Sequence, residues 1–168
     1  MNKKGFTLME VIVSLGLTSI LLLLLFNVMF FNIKILKKTE ARIEIQEQAQ
    51  FIKEFIEDKL HISSGVDSII DVNGHKIKNK NFNKGEIKEL RFILSNNIEG
   101  IYIDNKRKKM FYRRNLLYNG YEIGDYVKKF NVEKISEGKG IRVCLEMEKN
   151  NEIMNVEFLV YFRNYCIS

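Results

Sequence analysis

Proline is absent from this 168-residue chain, and histidine and cysteine occur only twice each. With no proline, no helix here carries the sharp kink that the ring forces on a helix interior. His61 and His75 stand apart, one near a helix end and one beside a turn, and neither has metal-ligand spacing with a cysteine. Also missing are a glycine-rich phosphate loop, a zincin pattern and a nucleophile elbow. Those absences argue against catalysis and leave no metal or cofactor site to assign. The formal charge of +6 includes Lys3 and Lys4 and is too mild an excess to signal nucleic-acid binding by itself.

Apolar length, in contrast, is plentiful. From Val11 to Phe31 the sequence is almost continuously apolar, interrupted mainly by Ser14, Thr18, Ser19 and Asn27. Roughly 20 such residues span a hydrocarbon core of about 30 Å, so the run reads as a transmembrane helix. Lys3 and Lys4 precede it, which keeps the N-terminus cytoplasmic and exports the chain beyond about Lys37. A cleaved secretory signal would have a shorter core followed by a small-residue cleavage site, and neither is found. An uncleaved signal anchor fits the hydropathy, but it leaves Glu10 unexplained: a carboxylate at the edge of a membrane span calls for a partner.

The stretch Lys3-Lys4-Gly5-Phe6-Thr7-Leu8-Met9-Glu10-Val11 resembles the class III signal of type IV prepilins and of the pseudopilins of secretion and competence systems. The resemblance implies that a prepilin peptidase cuts between Gly5 and Phe6 and methylates the new N-terminus at Phe6. Glu10 then becomes the fifth mature residue, where this family carries a glutamate that serves subunit assembly. The physics is compatible: cleavage creates an α-amino group with a pKa of about 7.7–8, which a carboxylate on a neighbouring subunit can neutralise in a shared site. The implied partner of Glu10 is the Phe6 amine of another protomer. Major pilins often carry a proline where this chain has Asn27, so the resemblance points away from a major subunit.

After Phe31 the pattern becomes amphipathic. Ala41, Ile45, Ala49, Ile52, Ile56 and Leu60 form one stripe, with charged residues on the other faces. One helix is therefore expected to continue to about Ile62, where Ser63-Ser64-Gly65 stops it. The stripe either packs under its own globular domain or forms a groove for a partner helix. The expected organisation is a leader at 1–5, a transmembrane helix at 6–33, its amphipathic continuation at 34–62 and an exported β-rich domain at 63–168.

Beyond Gly65 the period is two. Residues 68–72 run into Asn73-Gly74, a two-residue hairpin signal. Further strands are expected at 87–94, 101–104, 109–113 and 126–132, with a polar loop at 79–85. If Asn150-Asn151 forms a turn, Ile141, Val143, Leu145 and Met147 face Val160, Phe158, Val156 and Met154, giving one apolar face to cover the helix. The fold class is α+β, a pilin-like ladle with the long helix packed under an antiparallel β-sheet. In that register Cys144 lies opposite Glu157 on the other face, while Cys166 has the parity of the apolar face. A bridge between them is disfavoured, and two free thiols are expected.

Lys106, Arg107, Lys108 and Lys109 form a basic hairpin tip followed by Tyr112, a pattern that suits DNA or an acidic partner but equally an ordinary solvated turn. The closing Tyr161-Phe162-Arg163-Asn164 and the long C-terminal hairpin are similar to J-type minor pseudopilins and W-type minor pilins. The resemblance implies a structural subunit, not an enzyme, and no cofactor. Its implied partners are prepilin peptidase, other pilins or pseudopilins, the membrane and, indirectly, the assembly ATPase and platform. The implied location is the cytoplasmic membrane before assembly and an extracytoplasmic filament after it. A DNA-uptake pilin and a plain membrane-anchored binding protein are the alternatives.

Overall fold

The computed structural model describes residues 7–95, 97–117 and 119–164. Gly5, Phe6 and Cys166 lie outside this set, and with them the expected cleavage and methylation sites and one of the two thiols. The chain divides into two compact units, Met1–Glu40 and Ala41–Ser168. Helix α1 (Leu8–His61) supplies residues to both. In the first unit every described residue of α1 is exposed, and the helix is long and apolar enough to cross a membrane.

In the second unit α1 becomes a core element. Its buried residues are Ala41, Ile45, Ala49, Ile52, Ile56 and Leu60, the stripe expected from the periodicity. Each fully buried Ile or Leu contributes roughly 1.5–3 kcal/mol relative to an exposed one, enough to hold a helix whose outer face is charged. The helix end is closed by two groups distant in sequence and one local hydroxyl. Arg163 N–H donates to the His61 carbonyl at 2.8 Å, Asn164 Nδ2 to the Ile62 carbonyl at 2.9 Å, and Ser63 Oγ to the Leu60 carbonyl at 2.7 Å. These bonds satisfy carbonyls that a helix C-terminus leaves unpaired.

Among the described residues the sheet follows in nine strands: β1 (Gly65–Asp71), β2 (Lys76–Lys78), β3 (Lys84–Leu94), β4 (Asn97–Asp104), β5 (Lys109–Arg113), β6 (Tyr121–Gly124), β7 (Val127–Ile135), β8 (Gly140–Lys149) and β9 (Glu152–Tyr161). All pairings are antiparallel, in the order β6-β5-β4-β3-β7-β8-β9, with β1 on β3 and β2 on β1. Strand β3 joins the two halves, pairing with β7 through Lys84–Glu86 and with β1 and β4 through its remainder. The C-terminal hairpin has the expected register, including Val143 opposite Phe158 and Cys144 opposite Glu157. Its turn residues Asn150 and Asn151 have φ of 48° and 66°. Positive φ at both central residues is what a type I′ turn requires, and its twist matches the strands it joins.

Several local expectations are corrected. The Asn73-Gly74 connection is a three-residue loop: His75 pairs back to Asp71, and Gly74 takes the left-handed position at φ 89°. The expected polar loop at 79–85 is a 3-10 turn at Asn79–Asn81 followed by buried Phe82, because that ring anchors the segment to the core before β3 starts. Strand β6 has no counterpart among the expected strands, since Tyr-Glu-Ile-Gly is too short to show a period. Strand β7 starts at Val127, just after Tyr126, whose φ of 68° departs from extended backbone although its carbonyl still accepts the Glu148 N–H at 2.8 Å. The result is an α+β fold, with the amphipathic part of a long helix packed against a curled antiparallel sheet.

Candidate functional site

The first described turn of α1 is built around Glu10. Glu10 Oε2 accepts the Thr7 backbone N–H at 2.8 Å and the Thr7 hydroxyl at 2.9 Å. Thr7 Oγ1 in turn accepts the Glu10 N–H at 3.3 Å. This is a capping box, in which two side chains satisfy backbone donors that the helix start leaves unpaired. Glu10 therefore has a local partner within a single chain, and its exposed side chain remains reachable by a neighbour. The sequence signal for the cap is a threonine followed three residues later by a glutamate, directly before an apolar run. It is easily overlooked because the processing motif accounts for the same residues.

Farther along the span the hydroxyls are satisfied within the helix. Ser14, Thr18 and Ser19 donate to the carbonyls of Val11, Ser14 and Leu15 at 2.9, 2.7 and 2.8 Å. Backbone-satisfied hydroxyls need no partner from lipid, which makes them tolerable in a hydrocarbon environment. These three hydroxyls are therefore compatible with a helix of membrane-spanning length.

The basic tip between β4 and β5 is largely neutralised by its own fold. Asp104 accepts the N–H groups of Lys106 and Arg107 and the Arg107 Nε at 2.7 Å. Lys108 lies 3.3 Å from Glu148, and Lys109 lies 2.7 Å from Glu122 and 3.3 Å from Asp125. The Arg107 guanidinium holds the Asp104 carboxyl below its ordinary value, and Lys128 followed by Lys108 does the same for Glu148. Tyr112 and Arg113, which follow on β5, point into structural networks. The Tyr112 hydroxyl donates to buried Glu99, while Arg113 bonds Glu89 at 2.8 Å and lies 4.5 Å from the Tyr102 ring centroid.

A family model described as the prokaryotic N-terminal methylation motif matches residues 1–26. The match supports a type IV pilin-like or pseudopilin precursor, and that motif belongs to structural subunits processed by prepilin peptidase and assembled with other pilins. No curated protein and no solved structure gives a significant match. The matched residues run into the exposed apolar helix, an arrangement consistent with a membrane-anchored, single-pass protein.

The histidines and the described cysteine stand apart from this site. His61 Nδ1 donates to the Tyr161 carbonyl at 3.1 Å, and His75 Nδ1 lies 3.3 Å from Asp71. Among the described residues no group of three metal-ligating side chains assembles. Cys144 is a half-buried free thiol, and burial, with the Glu157 charge, raises its pKa and holds it protonated.

Proposed function

We propose that the chain is a minor pilin or pseudopilin, a structural subunit of a type IV pilus or of a secretion or competence pseudopilus. Prepilin peptidase cuts between Gly5 and Phe6 and methylates Phe6; the mature helix stays in the cytoplasmic membrane with the C-terminal unit exported. An assembly ATPase then acts through its platform to draw the subunit into a filament near its tip. The observation that carries this reading is the methylation motif at residues 1–26 leading directly into an apolar helix of membrane length. The absence of proline at Asn27 and throughout the chain favours a minor role over a major one. No observation raises DNA contact through Lys106–Lys109 above this reading, because three of those four cations are paired with carboxylates.

The test is intact-mass and N-terminal peptide analysis of the protein made with and without a prepilin peptidase. The expected product begins at methylated Phe6 only when the peptidase is present. A chain that starts at Met1 in both samples would return the protein to a plain membrane-anchored domain.

A further inference from the structure

A cleft of about 580 Å³ opens where β1 begins, between β2, the Asn79–Asn81 turn and the end of β7. Four lysines line it, Lys76, Lys78, Lys80 and Lys134, against two carboxylates, Asp67 and Glu137. Lys76 and Asp67 are 3.8 Å apart, a loose contact that leaves both partly exposed. Lys78 and Lys80 are exposed, whereas Lys134 is half-buried and donates to the Asn79 carbonyl. Burial depresses the Lys134 pKa, so an anion entering the cleft would relieve that ammonium. The cleft therefore favours a ligand with negative charge.

Three further features decide which kind. First, β2 covers β1 only over Ser68–Ile70, while Gly65 and Val66 pair with Ile93 and Phe92 of β3 on one side alone. Their other backbone edge meets no strand among the described residues and opens on the cleft, a template for an added strand. Second, Asn79 Oδ1 is buried there with no hydrogen-bond partner among the described residues. An unpaired buried acceptor calls for a donor. A peptide backbone brings N–H donors, whereas a phosphodiester backbone brings only acceptors. Third, no aromatic ring among the described residues lines the cleft, so they offer bases no stacking platform.

We propose that this cleft docks an extended acidic segment of another protein, which adds as a strand beside Gly65–Asp67 and places its carboxylates among Lys76, Lys78, Lys80 and Lys134. Asp67 and Glu137 set specificity, rejecting a uniformly anionic ligand and accepting one that carries donors as well. The proposal is independent of whether the N-terminus is processed, because every residue it uses lies in the Ala41–Ser168 unit.

The test titrates the full-length protein in detergent with a fluorescent peptide of alternating Asp and Val, read by anisotropy at low salt. Saturable binding is expected. The Lys78→Gln/Lys80→Gln variant should bind about fivefold or more weakly, since each exposed ion pair contributes up to about 1 kcal/mol. A Lys53→Gln/Lys88→Gln variant, with the same charge change outside the cleft, should bind like the wild type. Backbone N-methylation of alternate peptide residues should abolish binding if a strand is added. Absence of saturable binding, equal losses in both variants, or an N-methylated peptide that binds as well as the parent would each overturn the proposal. Single-stranded DNA that binds as tightly as the peptide would overturn the peptide assignment. Circular dichroism of each variant shows whether its fold is retained, and charge reversal at Lys78 alone supplies an independent variant if the double one unfolds.

Discussion

Replacing Gly124 with alanine tests how α1 is seated on the sheet. A methyl group on Gly124 would lie 2.4 Å from Ile52 Cδ1, 2.5 Å from Ile52 Cγ1 and 3.3 Å from Gln48 Oε1. Ile52 is fully buried, so its side chain has no open space into which to rotate. The strand must move outward or the isoleucine must leave its rotamer, a form of overpacking that costs about 1–3 kcal/mol. The adjacent Asp125 N–H donates to Gln48 Oε1 at 3.1 Å, and loss of that bond adds about 0.5–1.5 kcal/mol. A total of roughly 2–4 kcal/mol should lower Tm by about 10 °C. The sign is diagnostic, because without a clash Gly→Ala would stabilise the fold through the unfolded chain by about 0.4–1 kcal/mol. Circular dichroism unfolding of full-length protein in detergent measures the shift. Ile52→Ala alone should cost about 2–5 kcal/mol, but the methyl group added at Gly124 fills part of the space it leaves. The double variant should therefore lose less than the two single losses combined, by about 1 kcal/mol or more. Additivity within about 0.5 kcal/mol, or an unshifted Tm for Gly124→Ala, would refute the proposed helix seating.

Two other substitutions probe the sheet. Tyr112→Phe removes the hydroxyl that satisfies buried Glu99 and should cost about 1–3 kcal/mol by chemical denaturation. Burial first, and the Glu99 hydrogen bond second, raise the Tyr112 pKa, so above the ordinary phenol value of 10.0 the unfolded chain loses this proton before the folded one does. The contribution is complete below that value and declines as pH rises, and the alkaline decline should be shallower in Tyr112→Phe. Asn151→Gly should stabilise the terminal hairpin by about 0.5–1 kcal/mol, because Asn151 holds φ 66° where glycine carries no steric penalty. A lower Tm in that variant would contradict the assigned turn.

The legible parts of this fold are those where one physical rule acts over many residues. The stripe Ala41 to Leu60 repeats over five turns of helix, and the terminal hairpin combines two long alternating strands with a turn whose chemistry sets their register. A one-residue slip there would turn either Val143 and Leu145 or Phe158 and Val160 out of the core, so only one register buries them all. The illegible parts depend on single distant contacts. Strand β6 exists because Tyr121 and Glu122 pair with Tyr112 and Phe111, and because Gly124 lets the strand end lie against Ile52. Nothing within Tyr-Glu-Ile-Gly announces either partner. The basic tip shows the same limit: four consecutive cations read as an open patch, and only the fold brings Glu122, Asp125 and Glu148 to them. The lysine cleft is equally invisible in the sequence, because its cations come from β2, a 3-10 turn and β7.

Glu10 carries two separable tasks on the proposed reading, and two substitutions distinguish them. In a single chain its oxygen caps α1 through the Thr7 N–H, a task that a glutamine side chain can also perform. Neutralising the amine of a processed Phe6 on a neighbouring subunit requires the negative charge, which glutamine lacks. Glu10→Gln should therefore keep the first helical turn and its processing, yet fail to enter filaments. Thr7→Val should weaken the cap by about 1 kcal/mol while retaining the charge, and should still assemble. The measurement is the fraction of mature subunit in sheared filaments against the membrane fraction, with intact mass confirming cleavage in both variants. If Glu10→Gln assembles like the wild type while Thr7→Val does not, the carboxylate acts only as a helix cap, and the amine of Phe6 must find its counter-charge elsewhere.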